Sequence, residues 1–142
     1  MLTKKIKNIV IAICSIVVAV GIYAYTEYNR KSPDLTNVKA IDYITASALI
    51  NTYSNEEEMA NKKYLGRVIQ VNGTVVEVIN QQDTAFTIVL GDPSFMSRVS
   101  CTMDKNHIVS AKKYDIGNVV NVKGICTGYL MDIELNNCLI VE

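Results

Sequence analysis

The chain has 142 residues, of which 49% are hydrophobic and 20% are charged, and its formal net charge is zero. This length accommodates one small domain and an accessory segment. Residues 1–33 carry five Lys/Arg and one Glu, whereas residues 34–142 carry nine Lys/Arg and thirteen Asp/Glu, a net charge of −4. Because proteins that bind phosphate backbones present a broad positive field, the acidic part of the chain disfavours generic nucleic-acid binding.

The N-terminal part contains an apolar run of 17 residues without a charge, residues 9–25. This reaches the lower limit of length for crossing a bilayer core of about 30 Å. Lysines precede the run and tyrosines stand at its far end, as the positive-inside rule and the interfacial aromatic belt describe. We therefore predict a transmembrane signal anchor over residues 1–28. The predicted location is the cytoplasmic membrane, crossed once, with the C-terminal domain outside the cytoplasm.

Two other fates of this segment stay open. A cleaved secretory signal is less favoured, because the apolar run exceeds the usual length and no clean Ala-x-Ala site follows it. A lipoprotein would use Cys14, but Ile13 stands where a small residue is needed. The sequence therefore favours an uncleaved anchor.

The next segment, residues 29–37, is polar and interrupted by Pro33, so we predict a linker before a domain over residues 38–142. Residues 38–53 place apolar side chains near helical spacing. The sequence Ser54-Asn-Glu-Glu57 matches a capping box and predicts a second short helix from Asn55. Acidic side chains in a first turn complement the helix dipole, which explains them better than a metal or partner site does.

The remainder reads as strands around one short helix. In residues 67–80, Val71, Gly73 and Val75 share one face, and then the apolar phase switches, as a strand serving both halves of a closed barrel requires. A second phase switch at Asn136 and Asn137 indicates a bulge. The other predicted elements are a turn over 80–83, strands over 84–91 and 98–103, a helix over 105–114 and two strands within 119–141.

The predicted order of elements is two helices, three strands, one helix and two strands. The five strands with a helix after the third have the order of the OB-fold barrel. Six short motifs carry a closer likeness: Lys63-Tyr64-x-Gly66, Val71-x-Gly73, Val99-x-Cys101, Gly117, Val122-x-Gly124-x-Cys126-x-Gly128 and Asp132-x-x-Leu135-x-x-Cys138. Over residues 40–142 the chain resembles the bacterial tRNA-anticodon-like OB-fold family. The resemblance implies a mainly β, five-stranded OB-fold barrel preceded by two short helices. It also implies an exported or membrane-anchored protein, and it supplies no catalytic residue.

OB-fold barrels bind ligands on the face of their second and third strands and on the loops that flank it. Mapped onto this sequence, that face predicts five ligand-binding residues: Arg98, Ser100, Thr102, Lys123 and Tyr129. We predict a membrane-tethered binding module for a protein, a peptide or an envelope glycan. The alternative is binding of single-stranded, tRNA-like nucleic acid, which needs stacking aromatics and a basic groove.

The sequence contains little that indicates a catalytic site or a metal site. There is no Cys-x-x-Cys, His107 is the one histidine, and neither a nucleophile motif nor a glycine-rich phosphate loop occurs, so we predict no enzyme, no metal and no cofactor. Cys101, Cys126 and Cys138 have inward parity and fit small core residues. Outside the cytoplasm, Cys101 and Cys138 are the pair we favour for a disulfide. An enzyme that uses Cys101 or Cys126 is a third hypothesis.

Overall fold

The computed structural model describes residues 4–29, 32–81 and 85–142. The chain divides into two compact units, one ending at Ser32 and the other beginning at Pro33. The first unit contains helix α1, Lys4–Tyr28. Among the described residues, its segment Ile6–Tyr28 is the one helix long and apolar enough to cross a membrane. A helix that is apolar on all sides suits a lipid environment better than water.

In its described residues, the second unit contains six strands and two helices. In chain order the elements are β1 Tyr43–Thr45, α2 Ala46–Tyr64, β2 Val68–Gln81, β3 Ala85–Gly91, β4 Val99–Met103, a 3-10 turn Lys105–His107, α3 Ile108–Ala111, β5 Val119–Tyr129 and β6 Ile133–Val141. The sheet order is β1-β2-β3-β4-β6-β5, and β2 also pairs with β5. That last pairing closes a five-stranded barrel with β1 outside it. The predicted fold class is therefore confirmed.

Strand β2 closes the barrel because its two halves pair with different neighbours. Val68 to Thr74 pair with β5, and Thr74 to Gln81 pair with β3, with a register shift between Val75 and Glu77. This is the phase switch that the sequence predicted. The turn predicted over residues 80–83 lies partly outside the described residues, since residues 82–84 are not described and β2 continues through Gln81.

The segment before α2 differs from its prediction. The helix begins at Ala46 instead of residue 38, because Thr45 caps it by accepting a hydrogen bond from the Ala48 backbone N–H at 3.2 Å. Residues 43–45 instead form β1, which pairs in parallel with Gln70 to Asn72 of β2. The two predicted helices are the two parts of α2, separated at Glu56, whose φ of −143° and ψ of 61° are not helical.

The end of α2 explains the first of the family-like motifs. The Lys63 ammonium lies 2.6 Å from Asp42 Oδ2, and the Tyr64 hydroxyl donates to the same oxygen at 3.0 Å. The Lys63 hydrogen bond lowers the pKa of Asp42. Gly66 follows with a φ of +73°, which only glycine adopts without strain, and its N–H donates to the Cys126 carbonyl at 2.7 Å. The motif thus joins the helix end to both β5 and the segment before β1.

The core lies inside the barrel and under α2. Buried side chains alternate along the strands, and Tyr53 of α2 lies with its ring centroid 5.4 Å from that of Tyr129 and 6.4 Å from that of Tyr64. Gly73 lets α2 approach the barrel, since a Cβ there would lie 2.9 Å from the Ala46 Cβ. Val122, Cys126, Ile133 and Leu135 are among the side chains fully excluded from solvent.

The segment that joins the two units is partly packed on the barrel. Leu35 is buried, although it falls within the predicted linker, and the described residues from Pro33 belong to the barrel unit. Arg30 and Lys31 of that linker lie outside the described residues. The boundaries at residues 28 and 37, and the assignment of residues 38–142 to one OB-fold domain, stay predictions.

Candidate binding face

The outer sides of β3 and β4 and of their neighbouring strands form a mainly polar surface, in which Val89 is buried and Ile79 is partly exposed. The strand register places Glu77, Val89, Ser100 and Glu134 in one row across β2, β3, β4 and β6. A second row joins Ile79, Thr87 and Thr102. Because residues of one parity share a side of a strand, these side chains all face away from the core. We call this surface the outer face.

Hydroxyl groups and one ion pair dominate the outer face. The Thr87 and Thr102 Oγ1 atoms are 3.3 Å apart, and either can donate. Arg98 Nη1 lies 2.9 Å from Glu77 Oε2 with both side chains partly exposed. An exposed pair of this kind contributes about 0–1 kcal/mol to stability, but it neutralises the cation of the face. With Glu134 in the same row, the outer face carries no positive excess.

Two loops at the end of this face are bonded to each other. They are the β3–β4 loop, residues 92–98, and the β5–β6 loop, residues 130–132. The Arg98 N–H donates to Asp132 Oδ1 at 2.8 Å, and the Ser97 and Tyr129 hydroxyl oxygens are 3.1 Å apart. Asp92 accepts hydrogen bonds from the Ser94 side chain and backbone N–H, which lower its pKa. The loops thus form one ordered edge.

Three apolar side chains project from this edge. Met96 is 101% exposed relative to an isolated residue, Leu130 is 86% exposed and Met131 is 84% exposed. We call these three side chains the loop tips. Sequence reasoning missed them, although Leu130 and Met131 are an apolar pair in a turn, where polar residues are expected.

The predicted ligand-binding residues divide into three groups. Arg98, Ser100 and Thr102 lie together on β4 or directly before it. Tyr129 lies beside them at the end of β5, where its ring packs against Tyr53 on one side and stays partly exposed in a groove that it lines. The binding roles of these residues stay predictions.

Lys123 does not join the outer face, and its placement corrects the prediction. It is only 9% exposed, on the part of β5 that pairs with β2. Its ammonium donates to the Thr36 and Val38 carbonyl oxygens at 3.1 and 3.0 Å. A buried ammonium needs such acceptors, and the segment before β1 supplies them.

The three inward cysteines are buried free thiols. Burial, followed by the influence of Cys101, raises the pKa of Cys138, and the two residues lie on the paired strands β4 and β6. The predicted Cys101–Cys138 disulfide stays a prediction. The Cys126 sulfur lies 3.3 Å from the Tyr53 hydroxyl oxygen, and burial raises the pKa of Tyr53. Within the described ranges, no group of three or more His, Cys, Asp or Glu residues could hold a metal ion.

These raised pKa values predict that the free energy of unfolding falls in alkaline solution. The Cys138 thiol stays protonated in the folded protein but ionises near pH 8.5 in the unfolded chain. Its stabilising contribution is therefore complete below that pH and declines above it, by at most about 1.4 kcal/mol per pH unit. Tyr53 adds to the decline above about pH 10.

Urea unfolding of the full chain in phospholipid micelles with a reductant, from pH 7 to 10.5, measures this decline. Tyr53→Phe combined with Cys138→Ala removes both groups, and we expect a shallower decline for that variant. Ile116→Ala, at an exposed position, is the control and keeps the wild-type slope. Equal slopes for all three proteins would contradict the prediction.

A closed five-stranded barrel with this strand order defines the class of OB-fold domains. A family model supports the same class at the level of sequence. Residues 1–140 match the tRNA_anti-like family, and the chain belongs to that family. No curated protein sequence matches the chain.

Solved structures are similar in fold. A Klebsiella pneumoniae subsp. pneumoniae MGH 78578 protein, provisionally described as a nucleic acid-binding lipoprotein, has a TM-score of 0.61 at 16% identity, covering 79% of this chain and 100% of its own. The S. pombe Stn1-Ten1 complex has a TM-score of 0.42 at 20% identity, covering 53% and 58%. A Leishmania major Friedlin protein, provisionally described as an aspartyl-tRNA synthetase, has a TM-score of 0.47 at 14% identity, covering 85% and 25%. Of these three structures, the Klebsiella protein is the one whose TM-score shows a shared fold, and at 16% identity the likeness extends to the fold alone.

Proposed function

We propose that the protein is a non-enzymatic binding module, tethered to the cytoplasmic membrane, that engages a protein partner outside the cytoplasm. The observation that carries this proposal is the position of the loop tips beside the outer face. Clustered exposed apolar side chains, and methionine in particular, are typical of surfaces that contact other proteins. The hydroxyl groups and the Arg98–Glu77 pair supply the polar surround that such interfaces have.

The tether in this proposal is α1, with residues 1–28 as an uncleaved anchor and residues 29–37 as the connection to the barrel. Its segment Ile6–Tyr28 is a candidate span by length and composition. Lysines before the apolar run favour a cytoplasmic N-terminus and a barrel on the opposite side of the membrane.

Binding of single-stranded nucleic acid is the second candidate. It is favoured by Arg98 and by the description of the Klebsiella protein of the same fold. The charge of the barrel argues against it, because the one arginine of the outer face is paired with Glu77. The packing of Tyr129 against Tyr53 also reduces the ring surface that is open for stacking.

A thiol introduced by Leu130→Cys tests both the location and the partner. The native Cys101, Cys126 and Cys138 are buried, and Cys14 lies in the apolar segment of α1. We expect a membrane-impermeant maleimide to label L130C in intact cells and to leave the wild type unlabelled. Ile116→Cys, at a position 68% exposed, is the matched control and is labelled in the same way. Labelling only after the membrane is permeabilised would place the barrel inside and contradict the proposal.

The same thiol, carrying a short photo-crosslinker, reports what lies against the loop tips in cells. We expect a discrete adduct of higher mass with L130C that protease digests and nuclease does not, and no such adduct with I116C. An adduct that nuclease removes would instead establish the nucleic-acid candidate. The absence of any adduct specific to position 130 would contradict a role for the loop tips.

A further inference from the structure

We propose that a second groove, on the outer side of β1, β2 and β5, binds a neutral glycan. The groove has a volume of about 280 Å³ and is lined by Tyr43, Ile44, Thr45, Gln70, Asn72 and Asn121. We call it the amide groove. It lies on the first half of β2 together with β1 and β5, whereas the outer face uses the second half of β2 together with β3, β4 and β6. It contains none of the predicted ligand-binding residues.

The sheet register fixes the lining residues of the amide groove. Tyr43 of β1 lies opposite Gln70 of β2, and in the next outward row Thr45 lies opposite Asn72, which in turn lies opposite Asn121 of β5. Neighbouring strands are about 4.8 Å apart, so each row presents functional groups at a regular spacing on a stiff support. The groove is therefore preformed, which lowers the entropy cost of binding.

The amides of the groove keep hydrogen-bonding capacity. Asn72 Nδ2 donates to Asn121 Oδ1 at 3.0 Å, and this bond orients both side chains. It leaves Asn72 Oδ1 as an acceptor and Asn121 Nδ2 as a donor, and the Gln70 carboxamide adds one group of each kind. Within the part of the chain that the structure describes, none of these atoms has a protein partner. A ligand that both donates and accepts at short intervals satisfies all of them.

The charge of the groove selects the class of ligand. None of its six lining residues is ionisable at neutral pH. The adjacent cation, Lys123, lies opposite Gln70, but its ammonium is held by two backbone carbonyls. The lining of the groove offers a nucleic acid no cation for its phosphates, although its bases could stack on tyrosine. An uncharged sugar avoids this cost.

Tyr43 supplies the apolar contact that a sugar also needs. Its side chain is 63% exposed at the edge of the groove. An aromatic ring presents a flat apolar face with a negative quadrupole, which suits the polarised C–H groups on one face of a pyranose ring. The hydroxyl groups of the sugar then meet the amides of Gln70, Asn72 and Asn121. The combination of one open ring with uncharged amides therefore points to a glycan.

The test uses the full chain in phospholipid nanodiscs, because alkyl-glycoside detergents would compete for the groove. Saturation-transfer NMR is recorded with cellotetraose, maltotetraose and chitotetraose, and with the oligonucleotide dT6. We expect at least one of the three saccharides to bind. Tyr43→Ala and Gln70→Leu are each expected to weaken that binding at least tenfold, whereas Ile116→Ala, equally exposed outside the groove, leaves it unchanged.

Binding by none of the three saccharides would overturn the proposal, as would equal binding by Tyr43→Ala and Gln70→Leu. Preferential binding of dT6 that depends on Tyr43 would overturn it in favour of a nucleobase. The proposal rests on the extracytoplasmic location only for access to glycans. If saccharides bind in nanodiscs but the L130C thiol is found inside the cell, the proposed location is wrong and the amide groove stands. If the thiol is found outside but no saccharide binds, the proposal for the amide groove is wrong and the location stands.

Discussion

Replacing Gly124 by alanine is expected to destabilise the barrel by about 2–3 kcal/mol, the upper part of the range of about 1–3 kcal/mol for overpacking in a filled core. A Cβ at this position would lie 2.5 Å from the Cys138 sulfur and 3.3 Å from both the Asn136 carbonyl oxygen and the Leu135 Cβ. Cys138 is fully buried. Because protein interiors are closely packed, its sulfur can move away only by displacing other core atoms. Gly124 is therefore required for the close contact of β5 with β6 and not for an unusual backbone angle.

Thermal and urea unfolding of the full chain in micelles measure this effect. Gly91→Ala is the matched control, because a Cβ there makes only ordinary contacts, at 3.5 Å or more, and we expect a loss below about 1 kcal/mol. Combining Gly124→Ala with Cys138→Ala removes the sulfur from the clash. If the double variant loses the sum of the two single losses, the explanation by steric contact is wrong.

Tyr53→Ala is expected to cost about 3–5 kcal/mol and to loosen α2 more than the barrel. Tyr53 is buried between α2 and the barrel, where its ring contacts those of Tyr64 and Tyr129. Removing the ring leaves a cavity between the helix and β5. Tyr53→Phe keeps the ring and loses only the contact of the hydroxyl with Cys126, so we expect a loss near 1 kcal/mol.

Amide hydrogen exchange separates the two consequences of Tyr53→Ala. The amides of Ala46–Tyr64 are expected to lose protection before those of β2 and β5, because local opening needs fewer broken contacts than unfolding of the barrel. Tyr53→Phe serves as the control and keeps the wild-type order of exchange. Equal loss of protection in α2 and in the strands would show that Tyr53 supports the whole domain and does not specifically fix the helix.

The barrel could be predicted because short stretches of the sequence contain the patterns that determine its strands. Side-chain parity, the glycines and two shifts of phase locate β2 and β6 within a few residues of where they lie, as the prediction over 67–80 and the observed Val68–Gln81 show. Strand β1 could not be found in this way. Its three residues are too few for a period of two, and their partners in β2 are distant in sequence.

The candidate sites were only partly predictable for the same reason. The parity of β4 placed Ser100 and Thr102 on the outer face. Lys123 had an outward parity too, but the carbonyls that bury its ammonium belong to Thr36 and Val38, more than 80 residues earlier in the chain. The amide groove forms only where β1 lies beside β2. It could not be predicted once residues 38–45 were assigned to a helix.

The double pairing of β2 also has a consequence for how the chain reaches this state. Its first half pairs with β5 across 45 to 57 positions of sequence, from Thr74 with Val119 to Val68 with Ile125. During synthesis, that half of β2 has no β5 partner until β5 has left the ribosome. Until then, one edge of an apolar strand is unpaired. Contacts between residues this distant in sequence require closure of a long loop. The entropy lost in closing that loop slows folding. A nascent chain from which β5 has not yet emerged therefore lacks the pairing that closes the barrel, and its unpaired edge is open to misassociation.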